Sequence, residues 1–113
     1  MKRPRRKDAS HLDFIRSLQC ILCGDNTSVE AAHIRQPARW AGKRQTGKGE
    51  RPDDRWAVPL CSGHHQIQHT GSETHFWNLY GNAIVTAALL YSASGDHEAG
   101  IQICEGHRKG GPR

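Results

Sequence analysis

The chain has no apolar run long enough to cross a bilayer. Its longest, within residues 83–91, falls far short of the roughly 20 residues that a membrane helix needs. Internal repeats are lacking too, which excludes solenoid and propeller architectures. Apolar residues are scarce, at 35% of 113. A domain of this size with so thin a core often needs a metal or a disulfide to hold it together. No apolar leader opens the chain, which begins Met1-Lys2-Arg3-Pro4-Arg5-Arg6-Lys7. The expected setting is therefore a reducing cytoplasm. That setting argues against pairing the four cysteines, Cys20, Cys23, Cys61 and Cys104, as disulfides. The βαβ pattern that accompanies a redox Cys-x-x-Cys is also missing, which leaves metal binding as the expected use of Cys20 and Cys23.

Acidic residues are in the minority, 11 against 16 Lys and Arg, for a formal charge of +5. Five of the first seven residues are basic, and the chain ends Arg108-Lys109-Gly110-Gly111-Pro112-Arg113. A second basic group, Arg35, Arg39, Lys43, Arg44, Lys48 and Arg51, lies between the metal-type motifs. A polyanion such as nucleic acid is the expected partner of this group. Basic ends alone would equally suit a solvated tail.

Local signals predict a small α+β domain over residues 10–105, between basic flexible tails at 1–9 and 106–113. A helix begins near Ser10, with Leu12, Ile15 and Leu18 on one face, and delivers the chain to a knuckle at Cys20–Asn26. Short strands are predicted over residues 28–34 and 56–60, separated by a long polar loop. Helices should follow from Cys61 to His69, from Ser72 or Glu73 to Gly81, over residues 83–92, and over residues 96–105.

The strongest signal is Cys20-x-x-Cys23 followed by Cys61-x-x-His64. Two short-spaced pairs of thiolate and imidazole ligands supply the tetrahedron that structural zinc prefers. The helix after Cys61 carries more histidine than one zinc needs. Successive helical residues turn about 100°. His65 and His69 therefore share a face, whereas His64 points away from it. That arrangement lets Cys61 and His64 hold a structural zinc while His65 and His69 face a second site. Cys61 with His65 is an alternative zinc pair, since an i,i+4 spacing also works. Cys104 has no partner in this pattern and reads as a free thiol. His33, on the first strand, is a candidate general base for activating water.

These pieces together resemble the HNH, or ββα-metal treble-clef, endonucleases over about residues 18–80. The resemblance rests on Cys20-x-x-Cys23, Glu30-Ala31-Ala32-His33-Ile34, the run Asp53–Cys61, His64-His65-x-x-x-His69, and Gly71-Ser72-Glu73-x-x-Phe76-Trp77. The last stretch is similar to a compact phage and prophage subgroup of the RecA-dependent nuclease type. The resemblance implies a zinc-stapled ββα core with an N-terminal helix and a helical C-terminal extension. It implies a metal-dependent DNA endonuclease with His33 as the base, His65 and His69 on the catalytic cation, Asp54 orienting the site, and Arg35, Arg39, Lys43, Arg44, Lys48 and Arg51 on the DNA backbone phosphates. It also implies a phage or prophage origin in a bacterial host, and a recombination or packaging protein as a partner. Many members carry an Asp or His ligand directly before the base, where this chain has Ala32. The cation, Mg²⁺, Mn²⁺, Ni²⁺ or Zn²⁺, is then held by His65 and His69 with waters, or with Glu30 added. A zinc-stapled DNA-binding module without catalysis is the alternative.

Overall fold

Apolar residues near one face and an acidic cap start the first helix, α1 (Ala9–Arg16), where the Asp8 side chain accepts the His11 N–H. The computed structural model describes residues 6–44 and 51–110. Strands β1 (Val29–His33) and β2 (Ala57–Cys61) pair antiparallel, with Val29 opposite Cys61 and His33 opposite Ala57. Pro59 sits within β2 without breaking the pair. Its carbonyl points outward to the Ile21 N–H at 3.1 Å, so its missing donor faces a side that β1 does not use. The same bond ties the Cys20–Cys23 turn to the sheet.

Four helices complete the α+β architecture: α2 (Ser62–Gln68), α3 (Glu73–Tyr80), α4 (Ile84–Ser92) and α5 (His97–Arg108). Side chains cap their starts as the sequence suggests. Cys61 caps α2, Ser72 caps α3, Asp96 caps α5, and Asn82 accepts the Ile84 N–H at the start of α4. Helices α1 and α2 both pack on the hairpin, and α4 packs on β2. Every residue of β2 is buried as a result. Ile15, Leu18, Ile21, Val58, Leu60, Ile84 and Leu90 fill the core. Each such side chain contributes roughly 1.5–3 kcal/mol by leaving water. Helix α5 closes against α1 at Gly100, where a Cβ would lie 2.8 Å from both Leu18 Cδ2 and Phe14 Cζ. Among the described residues no helix is long and apolar enough to cross a membrane.

Both expected tails are shorter than the sequence suggests. Arg6 and Asp8 donate their backbone N–H groups to Asp53 Oδ1 and Asp54 Oδ2, and Arg6 accepts the Asp54 N–H. Residues 6–8 therefore form a strap across the start of β2, and Ala9 already belongs to α1. At the other end α5 runs on to Arg108. His107 is buried and bonds Thr86 Oγ1 at 2.7 Å, and Arg108 donates to Gln19 at 2.7 Å. Long-range hydrogen bonds extend order beyond what local periodicity signals. The expectations for Lys48 and for the extreme basic ends lie outside the described residues.

Candidate functional site

Two side-chain groups flank the hairpin and α2. The first joins the knuckle to the start of α2. Gly24, at φ +81°, lets the chain reverse after Cys23, and its N–H returns to the Cys20 carbonyl at 2.9 Å. The reversal brings Cys20 and Cys23 to face Cys61 and His64, and the four ligand atoms all lie within 4.8 Å of one another. Cys23 Sγ is 3.8 Å from Cys61 Sγ, and His64 Nδ1 is 3.2 Å from Cys61 Sγ and 3.7 Å from Cys20 Sγ. A zinc tetrahedron with Zn–S bonds of about 2.3 Å has sulfur–sulfur edges of about 3.8 Å, so the donor set fits that ion in kind and spacing. Burial alone would raise the Cys20 thiol. The backbone N–H groups of Cys61, Leu22 and Cys23 outweigh it and hold its pKa below the ordinary value. The sequence left His64 and His65 as alternatives here, and the structure brings His64 to the cysteines. Cys104 lies apart and fully buried, with burial pushing its thiol up to about 11.

The second group surrounds a cleft of about 340 Å³ between β1, α2 and the end of the long loop, lined by His33, His65, His69, Arg35, Arg51 and Arg16. His33 Nε2 lies 2.9 Å from Asp54 Oδ1, and Asp54 is buried. An ionised carboxylate only accepts, so with Asp54 ionised and the ring neutral this contact places the ring proton on Nε2. Gln68, buried on α2, donates to the His33 carbonyl at 3.0 Å and fastens β1 to the helix. Across the cleft His65 Nδ1 meets Glu30 Oε1 at 2.6 Å, and His65 Nε2 meets His69 Nε2 at 3.1 Å. With Glu30 ionised and accepting at Nδ1, a neutral His65 ring turns its Nε2 lone pair to His69.

Ala32 is fully buried in the core. Strand alternation turns Ala31 and His33 toward the cleft and Ala32 away from it, so the position before His33 offers nothing there.

The basic group divides. Arg35 and Arg51 line the cleft, and Arg39 is exposed on the 3₁₀ turn Arg39–Ala41. Arg44 is half-buried. Lys43 departs from the expected backbone contact. Its side chain is buried, on a turn whose ends Ala38 and Lys43 exchange two backbone hydrogen bonds of 3.0 Å. Sequence reasoning missed Gln68 and Glu73. Glu73 accepts the Arg35 N–H at 3.0 Å and the Trp77 indole N–H at 2.9 Å. A signal for Gln68 was present. Cys61, His64, His65 and Gln68 follow the i, i+3, i+4, i+7 stripe of an inward helix face. No comparable pattern marked Asp8 or Arg6.

No curated protein and no solved structure matches the chain. One family does, over residues 1–94 and thus most of the sequence, and the chain belongs to it: a family described as a protein of unknown function, DUF968.

Proposed function

We propose that this protein is a metal-dependent DNA endonuclease of the HNH type, with a zinc-stapled ββα treble-clef core. The observation that carries the reading is the pairing of two histidine systems across one cleft. His33 is held by Asp54 at 2.9 Å on one side, and His65 is held by Glu30 at 2.6 Å, beside His69, on the other. In this reading His33 Nδ1 takes the proton of the attacking water, and Asp54 stabilises the imidazolium that results. The hydroxide adds to the phosphorus, and the bond to one sugar oxygen breaks. Arg35 and Arg51 bind the non-bridging oxygens and position the strand. His65 and His69 are the residues that would hold a divalent cation, and it would supply charge stabilisation for the phosphorane-like state and the leaving oxygen.

Cys20, Cys23, Cys61 and His64 would hold structural zinc. It would lock the knuckle to α2, and so fix α2 against β1. The expected setting is a bacterial cell, with DNA as substrate and a phage recombination or packaging protein as an associate.

The decisive experiment is nicking of supercoiled plasmid with Mg²⁺, Mn²⁺ or Ni²⁺, beside His33→Ala. Cleavage above the His33→Ala background in any of these metals upholds the reading, and none sinks it. One observation favours the second reading, a zinc-stapled DNA-binding module without catalysis. Among the described residues, the sole group of three or more His, Cys, Asp or Glu ligands within reach of one ion is Cys20, Cys23, Cys61 and His64. DNA binding without cleavage would establish it.

A further inference from the structure

The long loop presents a feature that neither histidine system uses. Trp40 is 69% exposed, whereas the other two tryptophans, Trp56 and Trp77, are 3% and 2% exposed. It does not sit on a loose segment. The turn Arg39–Ala41 is closed by the reciprocal Ala38–Lys43 backbone bonds, and Gly42, at φ +76°, makes the reversal. An indole held outward on a fixed turn keeps its apolar face in water, which is unfavourable unless something covers it.

The surroundings indicate what covers it. Arg39 and Arg44 flank Trp40 around a hollow of about 560 Å³. A further depression, of about 440 Å³, lies between the hollow and the His33 cleft. It shares Arg35 and His69 with the cleft and Pro37 with the Trp40 hollow. The acid on this route, Glu73, is engaged by the Arg35 N–H and the Trp77 indole. A track with cations along it and one exposed aromatic at its end is the composition that binds single-stranded nucleic acid. Charge alone would serve a duplex equally well. The aromatic does not, because each base in a duplex is already covered on both faces by its neighbours. An indole gains full stacking only on a base that is unpaired or extruded.

We infer that Trp40 is a stacking platform for an unpaired base, so that the strand occupying the His33 cleft continues past Arg35 and Pro37 as single-stranded nucleic acid. The inference rests on the DNA-processing reading above and specifies its substrate as one with unpaired bases beside the site of attack.

The test uses the full chain carrying His33→Ala, so that cleavage does not intrude, with and without Trp40→Ala. Because Trp56 and Trp77 are buried, surface quenching of indole emission reports on Trp40. Oligo(dT) should quench that emission, and a blunt duplex of equal charge should not. Trp40→Ala should weaken oligo(dT) binding on the order of ten-fold, leave duplex binding within about two-fold, and abolish the quench. Trp40→Phe keeps a π face and should retain most of the affinity. Should Trp40→Ala fold poorly by circular dichroism, the quench and the Trp40→Phe affinity decide. Unchanged oligo(dT) affinity, or equal weakening on duplex and single strand, overturns the inference. So does an equal quench by poly-glutamate, which would point to an acidic protein segment. Plasmid cleavage by the wild-type chain tests the nuclease reading separately. An inactive protein whose oligo(dT) binding still depends on Trp40 loses that reading and keeps this inference. An active one indifferent to Trp40→Ala does the reverse.

Discussion

Asp54 Oδ1 lies 2.9 Å from His33 Nε2, while its other oxygen accepts the Asp8 N–H at 2.7 Å. One buried carboxylate thus ties the proposed base, on β1, to the strap that precedes α1. Asp54→Asn keeps the shape and exchanges an acceptor for an amide. If the amide nitrogen faces the ring, it can pair only with an Nε2 lone pair, which moves the proton to Nδ1. Cleavage should fall on the order of 10²-fold or more, as loss of a general base does, with the thermal midpoint moved much less. Plasmid nicking rates beside a melting curve check both. An unchanged rate would remove Asp54 from the site.

The strap itself is open to test. Deleting residues 2–8 removes the partners of Asp53 and Asp54 at Arg6 and Asp8. It strips one hydrogen bond from each of these buried carboxylates, at roughly 1.5–3 kcal/mol each, and removes the Asp8 cap of α1. The truncated chain should melt earlier, and its salt dependence of DNA binding should also weaken, because Lys and Arg residues are lost. A truncated chain with the full-length melting temperature would show that the strap bonds contribute nothing measurable.

The Cys20, Cys23, Cys61 and His64 group should bind one zinc per chain. Cys20→Ser or Cys61→Ser should lower metal content below that ratio and unfold much of the domain, because binding of structural zinc is generally coupled to folding. Cys104→Ser, which alters a buried thiol outside the group, should leave metal content intact. Metal analysis of the folded proteins, with circular dichroism before and after chelation, distinguishes these outcomes.

Lys43 is buried, and among the described residues its Nζ finds no hydrogen-bond partner. Burial is the largest cause that brings its pKa down to about 8 from the ordinary 10.5; Arg35 and Arg44 push the same way, against Glu73 and Asp53. Between about pH 8 and 10.5 the unfolded chain keeps this proton and the folded chain has lost it. Stability from this group should therefore rise with pH across that window, and the penalty is fully present below it. Lys43→Met should stabilise the protein at neutral pH, by up to about 3 kcal/mol, and flatten that rise. Denaturant titrations at pH 7 and pH 9 would measure both effects. An equal pH slope in the two proteins would contradict the account.

At Gly100, α5 approaches Phe14 of α1 and Leu18 just beyond it. Valine there gains helix propensity of a few tenths of a kcal/mol but forces its Cβ against Leu18 and Phe14, which are themselves buried. Overpacking of this kind costs about 1–3 kcal/mol, so the clash wins and the midpoint of urea unfolding should fall. A midpoint equal to that of the wild type would show that α5 can move away from α1 without loss.

Much of this protein was legible locally. The hairpin, the knuckle and the starts of α2, α3 and α5 follow from short-range rules, because caps, turn glycines and ligand spacings act within a few residues. Helix geometry set His65 and His69 on one face, but it left His64 and His65 as alternative partners of Cys61, and the fold chose His64. Three further matters were not legible locally. Lys43 sits in a basic polar stretch that reads as surface, yet its side chain is buried beside the Ala38–Lys43 bridge. Arg6 and Asp8 are ordered by carboxylates nearly fifty residues away. Ala32 differs from Ala31 only by strand alternation, and it is the packing of the hairpin that decides which of the two faces the core.

The sequence by itself determined the inventory: which residues can ligate, cap, turn or take a proton, and at what spacing along the chain. Those properties belong to residue chemistry and to the periods of helix and strand, so they need no tertiary contact to be read. Only the folded chain decided the partnerships. Asp54 meets His33, Glu30 meets His65, and His64 meets Cys20 and Cys61 because the antiparallel register and the seat of α2 bring distant segments together. Those pairings depend on three-dimensional packing, which no local pattern encodes.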